Sequence, residues 1–108
     1  MNMSEITTIK NNKELDDLLK KHNTVVLKAT ASWCGPCRVL ENTLKNLDKT
    51  TMNGAIVAEF DVDDAEDVST KLGVRNIPVL FFFKDGELKD KMVGNVPASN
   101  IYGKIKEL

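Results

Sequence analysis

Two cysteines, Cys34 and Cys37, are the only ones in this 108-residue chain, and they stand where an apolar run gives way to a helical one. Upstream, Val25-Val26-Leu27-Lys28-Ala29 reads as a strand, mostly apolar as expected when both of its faces are covered. Downstream of Pro36, the residues Val39, Leu40, Leu44 and Leu47 recur at helical spacing. Pro36 suits the first helical position, where its missing N–H is not needed and its fixed φ already fits. Cys34 therefore falls at or just before a helix N-terminus, with Cys37 one turn inside. Residues three apart on a helical turn lie about 5–6 Å from one another, within the Cα separation that a disulfide tolerates. Trp33-Cys34-Gly35-Pro36-Cys37 reads as a redox switch that closes and opens with little backbone movement.

The rest of the chain supplies a frame for that switch. Ile6-Thr7-Thr8-Ile9 is a weak first strand. Asn11 or Asn12 caps a helix through about Lys21, with Leu15, Leu18 and Leu19 on its inner face. His22, the only histidine, falls in the last turn of that helix, where a cation is favourable, and reads as a surface residue. A strand from Thr24 to Thr30 leads into the cysteine motif, whose helix is expected to end near Asn53-Gly54. Ile56 to Val62 is the next strand, and Asp64 caps a short helix that stops at Gly73 after Leu72. Val79 to Phe83 is a buried strand whose aromatic residues Phe81, Phe82 and Phe83 belong to the core. Asp85-Gly86 is a hairpin turn and Glu87 to Val93 its antiparallel partner. The last helix starts near Ala98 or Ser99. Strands alternating with helices, then a hairpin and a terminal helix, predict an α/β fold: a central mixed β-sheet with helices on both faces. With no repeat and no linker, residues 1–108 read as a single domain.

Composition narrows the function. Hydrophobic residues make up 42% and charged residues 29% of the chain, ordinary for a soluble globular protein and unlike a membrane span. The net charge is −1 without a basic stripe, so a nucleic-acid partner has no electrostatic support. Met1 to Lys10 lacks the basic and apolar regions of a signal peptide, so a cytoplasmic location is expected. In a reducing cytosol a lone close pair of cysteines is more often catalytic or metal-binding than structural. A single Cys-x-x-Cys is also shared by zinc sites and haem attachment. Here it supplies half of a tetrahedral zinc shell, with His22 the sole further soft ligand, so no metal is expected. Asp61, Asp63, Asp64, Glu66 and Asp67 form an acidic cluster without the glycine and terminal glutamate of a calcium loop. Capping and the first turn of a helix explain them.

Over nearly its whole length the chain resembles the thioredoxin family. Trp33-Cys34-Gly35-Pro36-Cys37 matches that family's active-site motif letter for letter. Arg75-Asn76-Ile77-Pro78 matches the segment with its cis-proline, Phe83-Lys84-Asp85-Gly86-Glu87 its following hairpin, and Val93-Gly94 its glycine-containing loop. The resemblance implies the thioredoxin fold and a thiol–disulfide oxidoreductase that reduces protein disulfides and is recharged by thioredoxin reductase. No bound cofactor is expected beyond a redox-active Cys34–Cys37 disulfide, and a monomer is expected. Cys34 would be the nucleophile, its thiolate stabilised by unpaired N–H groups and the positive helix end. Cys37 would resolve the mixed disulfide, and a Pro between the cysteines goes with a reductant. Peptide bonds before proline are mostly trans, but the resemblance implies cis at Ile77-Pro78. It also implies a small apolar docking surface of Trp33, Gly35, Pro36, Ile77, Pro78, Val93 and Gly94, with strand-like pairing of the client beside Pro78. For Trp33 and Ile77, ordinary core packing is the alternative.

The chain departs from the family pattern in three places. Six residues before Cys34, where the family carries a buried Asp, stands Lys28, and the family's nearby Lys aligns with Glu59. A charge in a strand covered on both faces is costly unless paired. Lys28 and Glu59 are therefore expected to form a partly buried ion pair beneath Cys37. Glu59 would accept the proton of Cys37 while Lys28 steadies thiolate charge. The alternative is that Lys28 reaches solvent along its own stem and Glu59 faces water. Asn42 replaces a helix-kinking Pro, so the helix is expected to bend less. A second functional class, a thioredoxin-fold binding subunit indifferent to redox turnover, is opposed by the intact cysteines.

Overall fold

The structure is a computed structural model and describes residues 2, 3 and 5–108. Its elements run β1 (Thr7–Thr8), α1 (Asn12–Lys21), β2 (Thr24–Thr30), α2 (Gly35–Lys45), β3 (Ile56–Asp61), α3 (Glu66–Leu72), β4 (Val79–Lys84), β5 (Glu87–Val93) and α4 (Ala98–Glu107). The five strands form one sheet in the order β1-β3-β2-β4-β5. β3 pairs parallel with β1 and β2, whereas β4 pairs antiparallel with β2 and β5. The mixed sheet expected from the alternation of elements is thus present.

Alternation of side chains along the strands divides the core in two. Val26, Val57, Leu80 and Phe82 pack with Leu40, Leu44 and Ile101 of α2 and α4. Val25, Leu27, Phe60, Phe81 and Phe83 pack on the other face with Leu15 and Val68 of α1 and α3. The run of phenylalanines is therefore shared between both cores. In register, Lys28 stands between Glu59 on β3 and Leu80 on β4, on the face covered by α2.

Local chemistry explains most boundaries. Asn11 Oδ1 accepts from the Glu14 N–H at 2.9 Å and caps α1. Asp85 and Gly86 both have positive φ, at 51° and 82°, as a tight two-residue hairpin requires. Gly73 ends α3 in the left-handed conformation.

Four expectations are corrected. α2 stops at Lys45 rather than near Asn53-Gly54. The Asn46 N–H is shared by the Asn42 and Thr43 carbonyls, and its side chain also donates to Asn42 O at 2.8 Å. The Asp48 carboxylate then accepts from both N–H and hydroxyl of Thr51, closing a turn. Leu47 stays buried although it lies beyond the helix, so the apolar rhythm outlasts the helical backbone. Val39, by contrast, is exposed and not part of the inner face. Asp64 is not the cap of α3: Ala65 occupies that position without a side-chain bond. The N–H groups of Asp64 and Ala65 instead donate to Asp61 O, at 3.1 and 2.8 Å. The first strand is also shorter than Ile6 to Ile9, although the Ile9 N–H still donates to Glu59 O at 2.9 Å. Among the described residues, no helix is long and apolar enough to cross a membrane.

Candidate active site around Cys34 and Cys37

β2 delivers the chain to the end of the sheet, and a turn places Cys34 as the residue capping α2. Its N–H donates to Ala31 O at 3.2 Å, which sets the turn. Its Sγ accepts from the Cys37 N–H at 3.2 Å, a contact in which sulfur takes the role usually played by a capping oxygen. Cys34 and Cys37 are joined by a disulfide, with Cα atoms 5.3 Å apart. Cys34 is 5% exposed and Cys37 1%, so Cys34 is the less enclosed residue of the two.

On one side of the disulfide the surface is apolar and open. Trp33 is 68% exposed, which excludes core packing for it. Its indole N–H donates to Asp63 Oδ2 at 2.9 Å. Gly35, Pro36 and Val93 are exposed as well. Ile77 is half-buried and packs against the small cluster of Ala31, Cys34 and Cys37. The Ile77-Pro78 bond is cis. Pro78 is buried, and its carbonyl accepts from the Gly94 N–H at 2.9 Å. Gly94 takes φ 90°, a conformation that side-chain-bearing residues rarely adopt. Val93 pairs with Val79, the residue after Pro78, so both segments end beside the motif.

On the other side the surroundings are charged and enclosed. Lys28 is only 2% exposed, with Nζ 3.7 Å from Glu59 Oε1, whose side chain is 21% exposed. The same ammonium donates to Cys37 O at 3.2 Å, tying the pair to the first turn of α2. Lys28 does not reach solvent along its stem. Burial pushes its pKa below the ordinary lysine value, and the nearby Glu59 and Glu41 carboxylates oppose that shift. Glu59 Oε1 is shut from solvent and, among the described residues, has no hydrogen-bond partner. A cleft of about 350 Å³ opens here, lined by Lys28, Cys37, Glu59, Arg38 and Glu41.

The bond from Trp33 to Asp63 is absent from any sequence reading, because thirty residues separate the two and nothing local links them. His22 lies far from the cysteines, as the C-cap of α1. Among the described residues, no group of three or more His, Cys, Asp or Glu side chains is placed to hold a metal ion. Two bonded sulfurs at a helix entrance can exchange a disulfide with another molecule.

The chain is similar to known proteins in sequence and in fold. The family model described as Thioredoxin matches residues 6–107. A thioredoxin of Mycoplasmoides gallisepticum is 36% identical over 93 residues, covering 86% of this chain and 92% of the relative. A thioredoxin of Chlorobaculum thiosulfatiphilum is 34% identical over 91 residues, covering 84% of each. Among solved structures, a mutant thioredoxin from Halobacterium salinarum superposes with a TM-score of 0.85 at 30% identity, covering 99% of this chain and 93% of that one. The oxidised mitochondrial thioredoxin 3 of Saccharomyces cerevisiae gives a TM-score of 0.84 at 28% identity, covering 95% of each chain. The chain belongs to the thioredoxin family, and it is a thiol–disulfide oxidoreductase with Cys34 and Cys37 as its redox pair.

Proposed function

We propose that the chain reduces the disulfides of other proteins, with Cys34 as attacking and Cys37 as resolving sulfur. In the dithiol form, the Cys34 thiolate attacks one sulfur of a client disulfide. A Cys34–client bond forms, the client S–S bond breaks, and the leaving thiolate takes a proton from solvent. Cys37 then gives its proton to Glu59, directly or through a water in the cleft, and its thiolate attacks Cys34 Sγ. The mixed disulfide breaks, the second client thiolate leaves and is protonated, and the chain is left with its Cys34–Cys37 bond. Two electrons have passed to the client. Thioredoxin reductase returns them.

The observation that carries the reading is the hydrogen bond from the Cys37 N–H to Cys34 Sγ. A backbone donor aimed at that sulfur, together with the positive end of α2, favours the thiolate. Trp33, Gly35, Pro36, Ile77, Pro78, Val93 and Gly94 form the docking surface, beside which the client backbone pairs with the segment at Pro78. Lys28 holds Glu59 in place and steadies negative charge as Cys37 deprotonates. The protein works as one domain and a monomer in the cytoplasm, without a bound cofactor. The test is turnover of insulin disulfides with NADPH and thioredoxin reductase. The wild type is expected to turn over and Cys34→Ser to be silent. A double Cys→Ser chain that keeps its biological function would instead favour the binding-subunit reading.

A further inference from the structure

We infer that Glu41 is a positioning residue: it is a second counter-charge to Lys28 and keeps that enclosed ammonium charged while Glu59 carries the proton taken from Cys37. The inference deepens the reading of Glu59 as proton acceptor and rests on it. Six residues before Cys34 this chain carries an ammonium where the family pattern has an Asp. Lys28 is 2% exposed, so water does little for its charge and its neighbours must do the rest. Burial presses its proton off, while the charges of Glu59 and then Glu41 hold it on. Lys45 pushes weakly the other way.

The two carboxylates are placed differently. Glu59 stands beside Lys28 in the register of β2 and β3, with Oε1 shut from solvent and 3.7 Å from Nζ. Glu41 comes from α2, one turn beyond Cys37, whose carbonyl accepts from Lys28 Nζ at 3.2 Å. It lines the same cleft as Lys28, Cys37 and Glu59, with Arg38 and Asp61 also in the wall. Its side chain is 37% exposed and lies 3.6 Å from Lys45 Nζ, so it meets both the cleft and water. Glu59 is thus placed to take a proton inside, and Glu41 to supply charge from the mouth. When the proton passes from Cys37 Sγ to Glu59, the ammonium loses its nearest counter-charge. An enclosed ammonium left so would shed its own proton, and the Cys37 thiolate would lose the cation that steadies it. Once the thiolate has spent its electron pair on the bond to Cys34 Sγ, Glu41 carries the balancing charge until Glu59 returns its proton to solvent. Glu41 has no recorded contact with either sulfur, so its effect passes through Lys28.

Glu41→Gln, Glu41→Asp and Lys45→Met should be compared with wild type and Glu59→Gln. One readout is the titration of Lys28 in the oxidised chain, followed by NMR of 13C-labelled lysine side chains and assigned by the signal lost in Lys28→Met. The other is stopped-flow resolution of the mixed disulfide with insulin over a series of pH values. Glu41→Gln is expected to move the Lys28 titration down by about half a pH unit. It should slow resolution about three- to fivefold, most strongly as pH rises towards that titration. Glu41→Asp, which keeps the charge, should hold resolution within about twofold of wild type. Lys45→Met removes the surface partner of Glu41 but not its charge, and should leave resolution unchanged. An unmoved Lys28 titration in Glu41→Gln would overturn the inference, as would Glu41→Asp or Lys45→Met slowing resolution as much as Glu41→Gln. If Glu59→Gln slows resolution and Glu41→Gln does not, the second counter-charge falls and the proton-acceptor reading stands. If Glu59→Gln keeps the wild-type rate, the proton-acceptor reading falls and takes the inference with it.

Discussion

The two sides of the Cys34–Cys37 disulfide are built on opposite principles. On the Trp33 side, Trp33 and Val93 are apolar and exposed, and the Ile77–Pro78 and Val93–Gly94 segments are fixed by backbone bonds. On the Lys28 side, an ammonium with almost no solvent contact faces a carboxylate at 3.7 Å and the carbonyl of Cys37 at 3.2 Å. Exposed apolar groups can be exchanged with little effect on folding, because they are wet before and after. An enclosed charge is different, since removing its partner leaves the full desolvation cost behind. On the proposed reading, recognition and proton handling are separable here: one side would tune affinity, the other couple chemistry to stability.

Four substitutions can break or sharpen that division. Cys37→Ser lies between the sides and has the largest expected effect: turnover falls by orders of magnitude and the mixed disulfide of Cys34 with client accumulates, visible by mass on non-reducing gels. Next is Glu59→Gln. It removes the stronger of the two carboxylate charges acting on the enclosed Lys28, so urea midpoints should report a loss of about 3 kcal/mol. Resolution of the mixed disulfide should slow by about a hundredfold in stopped-flow. A normal resolution rate in that variant sinks the proton-acceptor role even if stability drops.

Lys28→Met tests the same side through pH. Burial holds the folded-state pKa of Lys28 below its ordinary value of 10.5, so the unfolded chain binds more protons between those two limits. Stability contributed by this group is therefore gained as pH rises through the folded pKa towards 10.5, and lost as pH falls. The wild type should gain on Lys28→Met as pH rises through that window, in denaturant titrations run at each pH. A constant difference contradicts the burial of the charge. The smallest effect belongs to the open side. Val93→Ser should change stability by no more than about 0.5 kcal/mol, yet raise KM for insulin about twofold. A stability loss as large as that of Glu59→Gln erases the distinction between the sides.

What was legible in the amino-acid order follows from the range of the forces involved. β2 was readable to the residue, because Thr24 to Thr30 is a mostly apolar run bounded by Asn23 and the turn before Trp33. The hairpin was readable from Asp85-Gly86, whose positive φ values few other residue pairs accept. The end of α2 was not. Leu47 and Met52 keep the apolar pattern going, while the stop is imposed by the side chains of Asn46 and Asp48. The start of α3 was misplaced for a similar reason: Asp61 O gathers the N–H groups that a capping Asp64 would have served. At the site, the cysteines were evident from spacing, and the cis bond and docking loops only from resemblance. The pairing of Lys28 with Glu59 was foreseeable because a lone charge in a covered strand demands a partner. The bond between Asp63 and the Trp33 indole was hidden, since the two meet only after β2 and β3 are laid side by side.

One of the two edge strands of the sheet, β5, carries a further consequence. β5 alternates Glu87, Lys89, Asp90 and Lys91 along the rim of the sheet, and its register slips between Phe82 and Phe83 of β4. Charges and an irregular register make a poor template for annexing stray extended chains. This margin of the sheet is thus kept unattractive to other strands.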